Sequence, residues 1–248
     1  MAPTIAGAAF IRRSVSILNE SRRAVEEVDQ ITGGVSGVVV AGLSMTAHLY
    51  LLPAALTSFC KRYPHVQLEI IEGTFNELES DLRNGSIEFY VGPQTEQRLA
   101  PDLVQDVLFA NTRTIVGRKG HPLAGATSLR ELTGLEWVSI ITTQKGDEEF
   151  RRLFEHHGLP APKVRLRGRS ALTLITALQA SDLLSMVPVQ WLDFELTKDV
   201  LQAIHVKEEL PAPPIVLIRR RELPLTPASM FLLDLFNRKI ATLHLSPV

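Results

Sequence analysis

Along the 248 residues the spacing of apolar positions changes repeatedly, and each change marks an element. Between Ala8 and Ile31 the residues Ile11, Val15, Leu18, Val25 and Val28 recur at steps of 4, 3, 7 and 3, which is one stripe of a helix. Arg12, Arg13, Glu20, Arg22, Arg23, Glu26 and Glu27 lie largely off that stripe, and Gly33-Gly34 stops the helix. A narrow apolar seam with charge on both sides is what a coiled-coil partner helix needs. It equally describes an amphipathic helix packed on its own domain.

The pattern then turns to short continuous apolar runs, the mark of strands buried on both faces. A β-branched run from Gly37 ends in Gly42 and turns at Ser44 into a helix; a second strand ends in Gly73-Thr74, where another helix begins. This is a βαβα opening with a hydroxyl residue at each strand-to-helix turn. In an open parallel sheet such turns gather at the carboxyl ends of the strands, where ligands bind and first-turn N–H groups are free to meet an oxygen or an anion. Ile87 to Val91 is a third strand, stopped at Gly92-Pro93.

Two strand candidates follow, Leu103 to Phe109 and Thr112 to Val116. Ser128 and Glu131 form a capping-box pattern before a strand from Trp137 to Ile141, with Thr142-Thr143 at its end and a helix from Asp147 to His157. Further strands are expected at Val164 to Leu166, Leu183 to Val187, Leu201 to Val206 and Ile215 to Ile218, the last after a Pro211-to-Pro214 turn. Arg169-Ser170 opens a helix from Ala171 to Ala180, and Thr226 caps one from Pro227 to Leu243 with proline in its first turn. Strands and helices alternate throughout, so the class is α/β, arranged as two similar lobes.

Composition narrows the function. With 45% apolar and 21% charged residues the chain is globular, and a net charge of −1 gives no basic surface of the kind an autonomous nucleic-acid binder needs. One cysteine, Cys60, forms neither an internal disulfide nor a thiolate cluster, which suits a reducing compartment. The start lacks a basic segment before an apolar core, and no apolar run approaches the roughly 18 residues of a membrane span. A cytoplasmic location without a membrane partner is the expectation.

Candidate chemistry is sparse. Gly42-Leu43-Ser44-Met45-Thr46 approaches the G-x-S-x-G nucleophile elbow but lacks its second glycine, and His48 lies too close on the same helix to serve as base. His156-His157 are adjacent and cannot both reach one metal, and no H-E-x-x-H or glycine-rich phosphate loop is present, so no metal or cofactor is expected. Cys60 reads as core on the apolar face of its helix. Arg165, Arg167 and Arg169 share one strand face, as a solvated edge or a carboxylate clamp. Arg219-Arg220-Arg221-Glu222 reads as an exposed strand end.

The strings Pro3 to Phe10, Gly33-Gly34-Val35-Ser36-Gly37 and Leu51-Leu52-Pro53 through Phe59 with Tyr63-Pro64 stand in a telling order with three more. Those are Gly120-His121-Pro122-Leu123-Ala124, Ser185-Met186-Val187-Pro188 and Leu225-Thr226-Pro227-Ala228. In this order and spacing the chain resembles the linker helix plus effector-binding region of LysR-type transcriptional regulators. The resemblance implies two Rossmann-like lobes joined by two crossover strands, like a type II periplasmic binding protein, behind a long linker helix. Its parts would be a linker and dimerisation helix at 1–34, lobe I at 35–112 and 216–248, and lobe II at 113–215.

The resemblance also implies an effector, a carboxylate, sulfonate or sugar, held in the cleft by Ser44, Met45, Thr46, Thr74, Phe75, Gly92, Thr142, Thr143 and Ser170 without being transformed. It implies a homodimer or homotetramer, and contact with DNA only through a winged helix-turn-helix domain that would precede Met1. Two departures stand out: Ala180-Ser181-Asp182-Leu183 replaces an Ala-Gly-x-Gly turn, and Glu88 replaces an aspartate. A free solute-binding protein of a transporter and an α/β hydrolase using Ser44 remain the alternatives.

Overall fold

In the computed structural model, which describes residues 3–33, 36–139 and 144–243, a helix α1 (Ile5–Ile31) leads into β1 (Ser36–Leu43), α2 (Met45–Arg62), β2 (His65–Glu72), α3 (Phe75–Asn84) and β3 (Phe89–Pro93). There follow β4 (Leu103–Arg118), β5 (Glu136–Ser139), α4 (Gln144–His156), β6 (Lys163–Arg167), α5 (Ala171–Gln179) and β7 (Ser185–Pro188). The short α6 (Glu195–Lys198), then β8 (Leu201–Ile204), β9 (Pro211–Arg220) and α7 (Pro227–Ala241) complete the order. The chain forms two units, Met1–Ala110 with Pro213–Val248 and Asn111–Ala212, and passes from one to the other inside β4 and inside β9.

The first unit is built on β1, which pairs in parallel with β2 from Ser36↔His65 to Leu43↔Glu72 and with β3 from Ala41↔Phe89 to Leu43↔Val91. β9 runs antiparallel to β3, with Phe89 opposite Arg219 and Pro93 opposite Ile215. Because side chains alternate along a strand, Val39, Ala41 and Leu43 enter one core while Val40 enters another on the opposite face. The first core is closed by Leu51, Ala55 and Phe59 of α2 and by Leu232 and Phe236 of α7; the second by Phe75, Leu78 and Leu82 of α3. Parallel pairing leaves the carboxyl ends of β1, β2 and β3 on the same edge, beside the starts of α2 and α3.

The second unit pairs β4 with β7 and β8, both antiparallel, and β5 with β6 in parallel. Its core centres on Trp137, whose indole meets the rings of Phe150 and Phe154 edge-on at 5.3 and 5.5 Å. Leu129, Leu184 and Ile204 fill the remainder.

Helix α1 is capped by Thr4, whose hydroxyl accepts the Gly7 N–H at 3.1 Å, and it presents two unlike faces. One is docked on the first unit by polar contacts: Arg23, 6% exposed, donates to the Gly85 carbonyl, and Glu20 receives both Arg23 and Arg220. Asn19 donates to the Asn84 carbonyl, Glu26 accepts the Val38 N–H, and Gln30 accepts the Ala228 N–H. The other face is apolar and open. Phe10, Ile11, Ile17, Leu18, Val25, Val28 and Ile31 are each between 51% and 73% exposed, and 11, 18 and 25 fall one heptad apart.

Several expectations are corrected. Leu103 to Phe109 and Thr112 to Val116 are one 16-residue strand, because the chain crosses between units in extended form instead of turning at Asn111. Pro211 to Pro214 begin β9 rather than form a turn; prolines are tolerated where a strand starts, since a missing N–H there breaks no ladder. The box at Ser128 is displaced by one residue: Glu131 accepts the Thr127 N–H at 3.0 Å, Ser128 Oγ accepts the Arg130 N–H at 3.1 Å, and only a 3-10 turn, Leu129–Leu132, results. Cys60 is exposed, since the buried stripe of α2 is Ala47, Leu51, Ala55 and Phe59, and the next position lies roughly 100° away. Arg220 is 8% exposed, held by Glu20 of α1, not part of an exposed basic end.

Candidate functional site

The sequence places small hydroxyl residues where β1 and β2 give way to helices, and the two turns are built differently. Ser44 is 7% exposed; its N–H donates to the Val91 carbonyl at 2.8 Å and its Oγ accepts the Ala47 N–H at 3.3 Å. An N-cap of this kind satisfies one of the first-turn donors and leaves the others. No acceptor among the described residues meets the N–H groups of Met45 and Thr46. Thr46 is 6% exposed and Met45 half-buried, so these donors sit in a sheltered turn at the positive end of an 18-residue helix.

At α3 the turn is closed on itself. Glu77 Oε2 accepts both the Thr74 N–H and the Thr74 hydroxyl at 2.9 Å, the reciprocal box of a T-x-x-E sequence. Phe75 turns its ring into the core, 5.7 Å from that of Tyr90, and its N–H donates to the Tyr90 phenol. The sequence-based expectation that both helix ends offer free N–H groups therefore holds at Met45 and Thr46 of α2 and is reduced at α3, where the Thr74 and Phe75 N–H groups are taken and no acceptor among the described residues meets that of Asn76.

Gly92 is what lets the three strand ends close up. A Cβ there would stand 2.1 Å from the Tyr90 oxygen and 2.8 Å from Ser44 Cβ, distances that real atoms do not adopt. Ser44, Gly92 and Phe75 are thus brought together around Tyr90, with Thr74 on the exposed rim. Ser170 caps α5 in the other unit, its Oγ accepting the Leu172 N–H at 3.1 Å, and is half-buried. Thr142 and Thr143 lie outside the described residues.

The sequence reading passed over Tyr90 and Glu77. A glutamate three residues after a helix-capping threonine was the legible signal for Glu77. For Tyr90 nothing in the apolar run separates it from its neighbours, because what matters is the reach of its phenol. Burial pushes that phenol well above the ordinary tyrosine pKa, so its oxygen is neutral.

A second polar cluster lies on the α1 side of the same sheet. Glu88 is 3% exposed and accepts the hydroxyls of Thr226 and Ser229, at 3.1 and 2.8 Å, at the start of α7. Burial raises its pKa above the carboxylate range, partly offset by those hydrogen bonds, and its Oε1 has no partner among the described residues. Glu26 of α1 is raised too, first by burial and in smaller part by the charge of Glu88. Helix docking is therefore coupled to two carboxylates that ionise reluctantly.

No hydrogen bond among the described residues joins Ser44 Oγ to His48, whose Nδ1 lies 3.5 Å from Glu72. No group of three or more His, Cys, Asp or Glu among the described residues is placed to hold a metal ion, and no helix among them is long and apolar enough to cross a membrane. A cavity of about 340 Å³ beside α4 and another of about 660 Å³ near His156 and Lys207 lie in the second unit. Their charges are mutually neutralised, as where Arg113 meets Glu149 at 2.9 Å, and are not focused on one point.

The family model described as the LysR substrate binding domain matches residues 32–241. The HTH-type transcriptional regulator GalR of Pseudomonas putida is 26% identical over 239 residues, covering 96% of this chain and 60% of its own length. The chain thus spans less than two thirds of this curated relative. Among solved structures, the cofactor-binding domain of the Cbl transcriptional regulator superposes with a TM-score of 0.68 at 21% identity, over 82% of this chain and 89% of that one. The BenM effector-binding domain with its effector benzoate gives 0.64 at 17% identity, over 86% and 96%.

Proposed function

Because the chain belongs to the LysR substrate binding domain family and has the fold of LysR effector-binding domains, we propose that it is the ligand-sensing and dimerising part of a longer DNA-binding transcriptional regulator. The observation that carries this reading is the sheltered first turn of α2, with the unaccepted N–H groups of Met45 and Thr46 beside the buried hydroxyls of Ser44 and Thr46. Two N–H donors at a helix start donate to the oxygens of a carboxylate, a sulfonate or the hydroxyls of a sugar.

The ligand is bound and released unchanged, since Ser44 spends its hydroxyl on its own helix and has no base. The α1 seam supports pairing with a second copy, as its apolar face points away from the unit on which it is docked. Ligand changes the output only to the extent that it binds two arrangements of the protein with different affinity.

Thermal denaturation of the purified chain with a panel of small carboxylates, sulfonates and sugars tests this. One class is expected to raise Tm saturably, by the equivalent of about 2.7 kcal/mol at a hundredfold excess over Kd, and Ser44→Ala is expected to lose the effect. A panel that shifts nothing, with a native mass spectrum showing no retained small molecule, would sink the reading.

A further inference from the structure

β3 pairs with β1 from Ala41 to Leu43, so among the described residues no strand covers that edge of β1 from Ser36 to Val38. Side chains of α1 cover it instead. Gln30 donates to the Ser36 carbonyl at 3.3 Å, Asp29 accepts the Ser36 hydroxyl at 2.8 Å, and Glu26 Oε1 accepts the Val38 N–H at 3.3 Å. Gln30 also accepts the Ala228 N–H of α7 at 3.0 Å. The helix lies so close that a Cβ on Gly37 would stand 3.2 Å from Glu26 Cγ. Next along the same edge comes Glu88, whose N–H donates to the Val40 carbonyl at 2.9 Å.

Two carboxylates thus follow one another along a strand edge beneath a docked helix, and each has one oxygen that nothing serves. Glu88 Oε2 takes the hydroxyls of Thr226 and Ser229 and Glu26 Oε1 the Val38 N–H, while Glu88 Oε1 and Glu26 Oε2 are buried without a partner among the described residues. The charges acting on Glu26 are Arg22, 3.9 Å away with a side chain 48% exposed, and Glu88 itself. What β1 and α7 bring to Glu88 is hydroxyls and backbone, not a cation. At the other end of the docked face the balance is reversed, since Glu20 receives both Arg23 and Arg220. Docking therefore takes matched charges out of water at Glu20 and an excess of negative charge at Glu26 and Glu88, where the neutral carboxyl form is favoured.

We propose that Glu26 and Glu88 form a proton-operated latch: protonated, they hold the carboxyl-terminal half of α1 on the edge of β1, and ionised, they release that half while the Glu20 end stays docked. The inference requires neither a ligand nor a second copy of the chain. Burial is the largest influence on both carboxyls and raises them above their ordinary value, the hydrogen bonds to Glu88 and Arg22 beside Glu26 offsetting it in part. Docking of this half is accordingly complete below that ordinary value and weakens as pH rises through the docked-state values. Because α1 carries the open apolar seam, the latch makes the seating of that seam on its own unit depend on acidity.

Hydrogen exchange of the 15N-labelled chain reads the latch, since the Val38 and Ala228 N–H groups are covered by Glu26 and Gln30 of α1. Protection factors, which already allow for the intrinsic effect of pH on exchange, are compared at pH 5 and pH 7.5. In wild type both are expected to fall at least fivefold, with Ala41 in the paired part of β1 unchanged. Glu88→Gln should reduce the fall to less than half, and Glu26→Gln with Glu88→Gln should hold it within twofold.

A wild-type change within twofold, or the full fall persisting in the double variant, overturns the proposal. So does a parallel loss at Ala41, which reports unfolding of the whole unit. Recovery of protection at pH 7.5 when K+ or Na+ replaces choline at constant ionic strength overturns it too, because the pair would then hold a cation and not a proton. Should the double variant lose its native amide spectrum, Glu88→Gln alone decides the matter.

Discussion

Replacing Leu18 by glutamate strikes the centre of the open face of α1. Leu18 is 68% exposed, and it lies seven residues from both Ile11 and Val25 on the same stripe. Fully burying a leucine is worth about 2 kcal/mol, so covering the exposed two thirds contributes roughly 1.4 kcal/mol per copy. A symmetric pair loses this twice, about 3 kcal/mol, which is about a hundredfold in dimer Kd. Placing a carboxylate in an apolar seam adds a desolvation penalty, so a hundredfold is the lower bound. Sedimentation equilibrium of wild type and Leu18→Glu measures the change, with Val107→Glu as control because Val107 is similarly exposed, at 63%, on β4. A wild-type chain that is monomeric at every concentration, or a Leu18→Glu chain with an unaltered dimer constant, would show that the seam pairs with nothing.

Two further outcomes concern the docked face of α1. Glu88 and Glu26 have folded-state pKa values raised above the ordinary 4.5, so the stability they contribute is fully present below that value and is lost as pH rises through their folded values. The stability of wild type relative to Glu88→Gln, followed by urea unfolding, should accordingly grow as pH falls from 7 toward 4.5; a pH-independent difference contradicts the assignment. Arg220→Ala strips a partner from Glu20 and should cost about 1 to 3 kcal/mol, below the usual range for a buried pair because the Glu20 side chain is 34% exposed. Adding Glu20→Gln should recover part of that loss in a double-mutant cycle, and additivity within about 0.5 kcal/mol would mean that the pair does not couple.

The fold was legible wherever a run of residues had one job. Val38 to Leu43 sit inside a sheet covered on both faces and read as unbroken apolar sequence, and Ser44 and Thr226 cap helices as their positions suggest. Legibility failed where distant partners decide the outcome. Leu103 to Phe109 and Thr112 to Val116 read as two strands, yet the crossing between units holds the residues between them, Ala110 and Asn111, in one strand. Arg220 looked like part of a charged end, and only a glutamate 200 positions away in sequence explains its burial. At the candidate site the hydroxyl turns could be read from the strand-to-helix punctuation. Which first-turn N–H groups stay open could not, since at Phe75 that depends on a phenol reaching across from the neighbouring strand.

The double passage of the chain through β4 and β9 sets an order of events during synthesis. Residues 111–212 form one uninterrupted stretch, so the second unit has all its parts before the ribosome has made α7 or the stretch of β9 that belongs to the first unit. The first unit does not: Ile215 and Ile218 of β9 and Leu232 and Phe236 of α7 are integral to its two cores. Until they emerge, β3 keeps a bare edge and Val39, Leu51 and Phe59 lack their cover, the kind of surface that aggregates. Of the two units, the one whose translation begins first is therefore the one completed last, and it depends more on protection while the chain is being made.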